Sequence, residues 1–288
     1  MNLSQLPPSL KYEPPGTPIR VEFDRRIGHY SMDGNHYHSA CEIYYLFSGE
    51  RNYFIRDRSY TVRPGDLVPI GANEVHKTSD VGVPNHERIV IYYEQTFFEA
   101  LDAEEARLLQ TPFNLEYAVR SLNLQEKAHV ETLLHSLLGE LADTPPGYGM
   151  HIRHMAAELL LFAARHARKQ DSPPPCEPTP VQRKITEIVR HINSSYAEPL
   201  DLDGLSKRFY ISSSHLSRMF KEETGFKFTE YVNLTRIKEA RLLLRDTNLG
   251  VTAVSERTGF DNFSHFGKVF KKMTGMSPRQ YRSVYRSD

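Results

Sequence analysis

The sequence predicts an α+β chain of two domains. A small N-terminal β-barrel carries a pair of helices, and the C-terminal domain is all-α with two helix-turn-helix units. Three observations predict it. At 288 residues the chain is long enough for about two domains. The text changes at about Thr96 from short runs rich in Tyr, Val, Ile and Phe to apolar residues at helical spacing. The end of the chain repeats itself at a constant offset of fifty positions. There, Ser214-His215-Leu216-Ser217-Arg218-Met219-Phe220-Lys221 is echoed by Ser264-His265-Phe266-Gly267-Lys268-Val269-Phe270-Lys271. One supersecondary unit used twice implies one job done twice.

Charge also divides the chain, at about Gln182. From Gln182 onward there are 19 Lys and Arg against 12 Asp and Glu; before it, 17 against 24. A basic half joined to an acidic half is expected when one domain alone faces nucleic acid. Two cysteines, Cys41 and Cys176, are too few for a disulfide framework. Met1 to Gly16 is polar and proline-rich, unlike a secretory signal. No run approaches the roughly 20 apolar residues of a membrane span. The expectation is a cytoplasmic protein with no membrane partner.

The elements follow in order. Residues 1–18 are expected to be an arm. Residues 19–95 read as short strands broken at Gly28, Gly34, Gly49, Asp57 to Ser59, Pro64-Gly65 and Gly71, which suggests a small barrel or sandwich. Residues 96–170 read as helical. Leu133, Leu134, Leu137, Leu138 and Leu141 form one stripe, and Met155, Leu159, Phe162 and Ala163 form another, with Pro145-Pro146-Gly147 between them. These stripes have two readings, as a dimerisation element or as a cover for the barrel. Residues 171–181 hold Pro173, Pro174, Pro175, Pro178 and Pro180, the composition of a semi-rigid linker. Residues 182–288 are helical to the end.

Within that last region, Leu202, Leu205 and Ser206 lie on a short helix, followed by a turn through Tyr210 and Ile211. Ser212 or Ser213 can cap the next helix. Leu216, Met219 and Phe220 then point inward, leaving Ser214, Ser217, Arg218 and Lys221 outside. The second copy runs through Val251, Val254 and Ser255 to a turn at Gly259-Phe260 and a helix from about Asn262. Its inward set is Phe263, Phe266, Val269 and Phe270; Ser264, His265 and Lys268 face out. Between the copies, Phe228 to Arg245 makes one helix with Tyr231, Leu234, Ile237 and Leu244 inward. Its length, about 27 Å, approaches the ~34 Å between successive major grooves on one face of DNA. Each unit suits a helix with its back in a core and its front in a groove. The bland alternative for any one exposed residue is a solvated helix face.

The stretch Gly259-Phe260-Asp261-Asn262-Phe263-Ser264-His265-Phe266, then Phe270-Lys271-Lys272, Gly275-Met276-Ser277-Pro278 and Tyr281-Arg282, resembles the AraC/XylS transcription regulators. The likeness covers about Ile185 to Arg282. Ser206 and Ser255 stand where that family usually has alanine, a departure of little cost in packing. The resemblance implies double-stranded DNA as partner, with base-edge contacts from Ser213, Ser214, Ser217 and Arg218 in one major groove. Asn262, Ser264, His265 and Lys268 would serve the next. Arg218 suits bidentate recognition of guanine; Lys221, Lys271 and Lys272 suit phosphates. It further implies a ligand-responsive activator that works as a homodimer with RNA polymerase.

In the N-terminal domain, His36, His38 and Glu42 share parity, so one strand would aim all three at one face. His76 follows the Pro64-Gly65-Asp66 turn. This set resembles the cupin metal motif of three His and one Glu, although the glycine usual ahead of the first His is not matched. The resemblance implies a divalent Fe, Mn, Ni or Zn ion. A metal-free effector pocket and a satisfied polar core stand beside that reading. Arg20, Tyr30, Tyr44 and Tyr53 are candidate lining residues for a small polar effector, with carbohydrate suggested by the family. A metal-dependent cupin enzyme or metal sensor joined to a DNA-binding module is the competing class.

Overall fold

The computed structural model describes residues 3–32, 37–169 and 177–286. They divide into two compact units, in the main the residues up to Glu177 and those from Pro178 onward. No helix among the described residues is long and apolar enough to cross a membrane.

The first unit opens with strands β1 (Ser9–Tyr12), β2 (Ile19–Arg26), β3 (Cys41–Ser48), β4 (Arg51–Ile55), β5 (Arg58–Val62), β6 (Asp66–Ile70), β7 (His76–Asp80) and β8 (His86–Tyr93). Helices α1 (Gln95–Glu99) and α2 (Ala103–Gln110) lead to a two-residue strand β9 (Arg120–Ser121), then to α3 (Leu124–Asp143) and α4 (Tyr148–Lys169). A six-stranded sheet in the order β1-β2-β8-β3-β6-β9 faces a three-stranded sheet β5-β4-β7.

Strand alternation explains the layering, because successive side chains leave opposite faces. Val21, Phe23, Ile43, Tyr45, Ile89 and Ile91 form the outer face of the large sheet. They pack on Val130, Leu134, Leu137 and Leu138 of α3 and on Met155, Leu159 and Ala163 of α4. Tyr44, Leu46, Val68, Val90 and Tyr92 form the inner face and meet Tyr53, Ile55, Tyr60 and Val62 across the barrel. The central strands β3 and β8 are thus covered on both sides.

Three expectations change here. The arm 1–18 contributes an edge strand, with β1 paired antiparallel to β2 from Ser9↔Asp24 to Tyr12↔Val21. The region after Thr96 is not wholly helical, because β9 completes the sheet beside β6. The two apolar stripes lie against the chain's own sheet, and Leu133 and Phe162 are only half-buried. Of the two readings of these stripes the packing shows the cover for the barrel, with the half-buried residues leaving part of both helices open.

The second unit contains α5 (Pro180–Ser195), α6 (Leu202–Phe209), α7 (Ser213–Thr224), α8 (Phe228–Asp246), α9 (Val251–Arg257), α10 (Phe263–Thr274) and α11 (Pro278–Tyr285). Most of the expected linker lies outside the described residues, but its last part is helix. Pro180 occupies the first turn of α5 after a Thr179 cap, where its missing N–H costs nothing.

Helix α8 is the shared spine. Near its start, Phe220 of α7 meets Phe228 at 6.1 Å and Tyr231 at 5.6 Å. Towards its end Ile237, Ala240 and Leu244 join Val254, Phe260, Phe266, Phe270 and Tyr281 in one core. Phe263, expected inside, is 48% exposed. It is the first residue of α10 after the Asn262 cap, so its side chain projects ahead of the packed face.

Candidate nucleic-acid interface and barrel site

In α7 the Ser212 hydroxyl accepts from the His215 backbone N–H, which starts the helix and leaves the next turn free. Ser214, His215, Ser217, Arg218 and Lys221 are all exposed, while Leu216, Met219 and Phe220 are buried. In α10 Asn262 takes the cap, accepting from the His265 N–H at 2.9 Å. Ser264, His265, Lys268, Lys271 and Lys272 are exposed. Both helices end in a left-handed glycine, Gly225 at φ 74° and Gly275 at φ 78°, as C-terminal caps demand. The two outer stripes therefore match at Ser214 and Ser264, His215 and His265, and Lys221 and Lys271, with Lys268 in the place of Arg218 and Gly267 in that of Ser217. The 19 residues of α8 connect the units over about 28 Å at ~1.5 Å per residue.

Two expected contact residues have local duties. The Ser213 hydroxyl donates to Asp203 at 2.6 Å, and the Asn262 carbonyl oxygen serves its cap. His215 belongs with the exposed set of α7, as its twin His265 does in α10; the fifty-residue offset is the signal that points to it. Its Nδ1 lies 3.2 Å from Arg218 Nη2, which braces the guanidinium on the exposed face.

In the barrel, Glu42 is the centre. It is 2% exposed and sits on β3 opposite Tyr92 of β8 and Ile70 of β6. Its carboxylate takes His38 Nε2 at 2.9 Å and the Tyr53 hydroxyl at 3.1 Å, with His76 Nε2 at 3.7 Å. The parity argument fails in detail because β3 begins at Cys41, so His38 lies in the preceding loop. The bend of that loop still brings its ring to Glu42. His36 lies outside the described residues.

Both rings are oriented from behind: Nδ1 of His38 is 2.8 Å from the Ala40 carbonyl, and Nδ1 of His76 is 2.8 Å from that of Glu74. Each Nε2 is thereby turned towards the carboxylate. Burial works against charge on His38, but the Glu42 hydrogen bond and its negative charge outweigh it and raise the pKa. For His76 burial wins over Glu42 and the pKa is lowered. The same carboxylate therefore leaves the two imidazoles shifted in opposite directions.

Tyr44 packs edge-on against Tyr53 at 5.1 Å, and burial pushes its hydroxyl up to about 12. Arg20 lies 4.7 Å over the Tyr92 ring, where Glu13 and Glu94 hold it at 3.1 Å each. Tyr92, which residue type and spacing do not single out, contacts the His38 ring at 5.3 Å. Asp66 is structural, accepting from Ser121 at 2.8 Å and from the Arg63 N–H at 2.8 Å.

Comparison with known proteins agrees with this division. Residues 20–160 match the family described as an AraC-like ligand binding domain, and residues 205–283 match a helix-turn-helix domain. The chain is 27% identical over 273 residues to the uncharacterized HTH-type transcriptional regulator YfiF of Bacillus subtilis, covering 87% of this chain and 79% of that one. It is 25% identical over 253 residues to the HTH-type transcriptional activator RhaR of Escherichia coli, covering 86% of each. Among solved structures, the C-terminal domain of the response regulator AraT from Geobacillus stearothermophilus is 30% identical, with a TM-score of 0.37, over 39% of this chain and 92% of that one. The matched families and relatives are regulators rather than enzymes, so the metal-dependent enzyme reading of the barrel falls.

Proposed function

We propose, since the chain belongs to the AraC family of helix-turn-helix transcription regulators, that it activates transcription when a small polar effector occupies the barrel. The observation that carries the DNA half is the repeated exposed stripe, Ser214, Arg218 and Lys221 in α7 and Ser264, Lys268 and Lys271 in α10, joined by α8. A carbohydrate is the effector class that the family suggests, and the tyrosines around Glu42 offer the aromatic faces and hydroxyls that such a ligand uses. The reading includes a cytoplasmic homodimer that contacts RNA polymerase.

Arg218→Ala and Lys268→Ala are each expected to weaken specific DNA binding by about 1–3 kcal/mol where the residue reads a base. Lys271→Ala is expected to weaken all sequences alike and to flatten the salt dependence by about one unit of slope. Titration of a labelled promoter at several salt concentrations separates these cases. Unchanged affinity and sequence preference would remove the residue from the interface.

A second reading concerns metal. His38, Glu42 and His76 place their ligand atoms within 4.8 Å of one another, and carbonyl-anchored Nδ1 atoms are the usual support of metal-ligating histidines. These three residues fit a divalent Fe, Mn, Ni or Zn ion, which would supply a Lewis-acidic anchor for an effector oxygen. Elemental analysis of untagged protein should then find about one ion per chain, lost in His38→Ala/His76→Ala. No ion after reconstitution would leave the cluster as a hydrogen-bonding wall of an organic pocket.

A further inference from the structure

The inner face of the barrel carries a second polar cluster, centred at the opposite end of β8 from Tyr92, the partner of Glu42. Along β8 (His86–Tyr93) the inward residues begin with His86 and Arg88, and His86 lies roughly 20 Å from Tyr92 at ~3.3 Å per residue. On β2, Arg26 stands opposite His86 and Asp24 opposite Arg88. Arg51 joins them from β4 and is 1% exposed; His86 is 2% exposed. Tyr30 gathers the group: its ring centre is 4.8 Å from Arg26 Cζ, 5.9 Å from Arg51 Cζ and 5.9 Å from the His86 ring.

The charges do not balance. Asp24 takes two of the three guanidiniums, Arg88 at 3.0 Å and Arg26 at 3.2 Å. Asp80, the cross-strand partner of Arg51, gives its carboxylate to His29 at 2.6 Å. Arg51 donates from Nε to Thr78 Oγ1 at 3.1 Å. Among the described residues Arg51 Nη2, Arg26 Nε, the Tyr44 hydroxyl and both ring nitrogens of His86 have no hydrogen-bond partner. Buried donors left without acceptors are costly, and a planar guanidinium edge is shaped for a carboxylate or phosphate.

We propose that this end of the barrel binds an anionic group of the effector, a carboxylate or phosphate, with Arg51 as its principal partner and His86 and the Tyr44 hydroxyl beside it. The inference rests on the reading of the barrel as the effector site and narrows that effector to a small organic anion. A sugar acid or a sugar phosphate carries such a group.

The test is a thermal melt of the full chain with inorganic phosphate, glucuronate or glucose, at ionic strength matched with sodium chloride. Phosphate or glucuronate should raise the melting temperature saturably by about 3–6 °C, and the one effective at lower concentration assigns the group. Arg51→Met should lose that shift, while melting close to the wild type without ligand because removing a buried, incompletely paired guanidinium offsets the lost Thr78 hydrogen bond. Should Arg51→Met not fold, Arg51→Lys keeps the charge without the fork and should bind at least about tenfold more weakly. A wild type indifferent to both anions, or a shift that survives in the folded Arg51 variant, overturns the inference. A shift with glucose that both variants keep also overturns it but leaves the effector reading intact. If an anion binds through Arg51 yet promoter occupancy does not respond, the site stands and the effector reading falls.

Discussion

Gly259→Ala is expected to destabilise the second unit by about 3 kcal/mol and to erase half of the footprint on DNA. Gly259 turns the chain between α9 and α10 at φ +79°, and a Cβ there would lie 2.8 Å from each of the carbonyl oxygens of Tyr196 and Ala197. The left-handed conformation alone costs a side chain roughly 1 kcal/mol. The collision adds about 1–3 kcal/mol, as overpacking does, because the obstacle is backbone. Nor can that backbone retreat easily: Arg236 of α8 donates to the Tyr196 carbonyl at 2.8 Å and to that of Glu198 at 2.9 Å. The turn of the second unit is thus built against the end of α5, and strain there loosens the seat of α10. Gly267 supplies the control. It lies within α10, where an added methyl group would meet nothing within 4 Å, so Gly267→Ala should stabilise by about 0.5–1 kcal/mol. Melting curves and footprints of both variants decide it; equal melting temperatures would mean that the Tyr196–Ala197 backbone yields without cost.

The helical half was largely legible because its signal is local. Leu216, Met219 and Phe220 share one helical stripe, and the same spacing recurs in Phe266, Val269 and Phe270, so periodicity alone fixed which side faces out. Phe263 misled because periodicity does not show that a helix has only just begun. Pro180 misled because proline density marks loops and first turns alike.

The barrel was legible as strands but not as a site. Alternation in His86-Glu87-Arg88-Ile89-Val90-Ile91-Tyr92 separates two faces without saying which is inside. Polar residues at every second place ordinarily mark the solvent side, yet here both faces of β8 are covered, and the charged one lines the interior. Arg51 and Asp24 then meet His86 only through strand pairing distant in sequence. Strand parity and the likeness to the cupin motif single out Glu42, His38 and His76 in the sequence. His38 precedes β3, and the loop rather than strand parity carries its ring to Glu42.

The stability of the first unit should fall as pH is lowered from about 6.5 towards 4, with His86 contributing about 3 kcal/mol of the loss. Burial pushes the His86 imidazole down to about 4, reinforced by Arg51, Arg88 and Arg26 and opposed by Asp24. In the unfolded chain the same ring takes up its proton near pH 6.5. Between these values the unfolded state binds more protons than the folded one, so stability rises with pH across the window and is complete above it. The groups facing His86 are Arg26 and Asp24 from β2, Arg88 from its own strand, Arg51 from β4 and the Tyr30 ring. His76 is shifted in the same direction and His38 in the other, so the wild-type curve alone mixes several titrations. The difference between wild type and His86→Phe isolates this one. Denaturant unfolding at pH 7.5, 6, 5 and 4.5 should show the variant losing less stability on acidification, by close to one proton in slope. Parallel curves would mean that the ring titrates normally in the fold. Phosphate bound beside the imidazole would favour its charged form and raise the folded value towards the unfolded one. The gap between the two curves should therefore narrow as phosphate is added, which ties the acid sensitivity of the barrel to the same unmatched charges that make its far end an anion site.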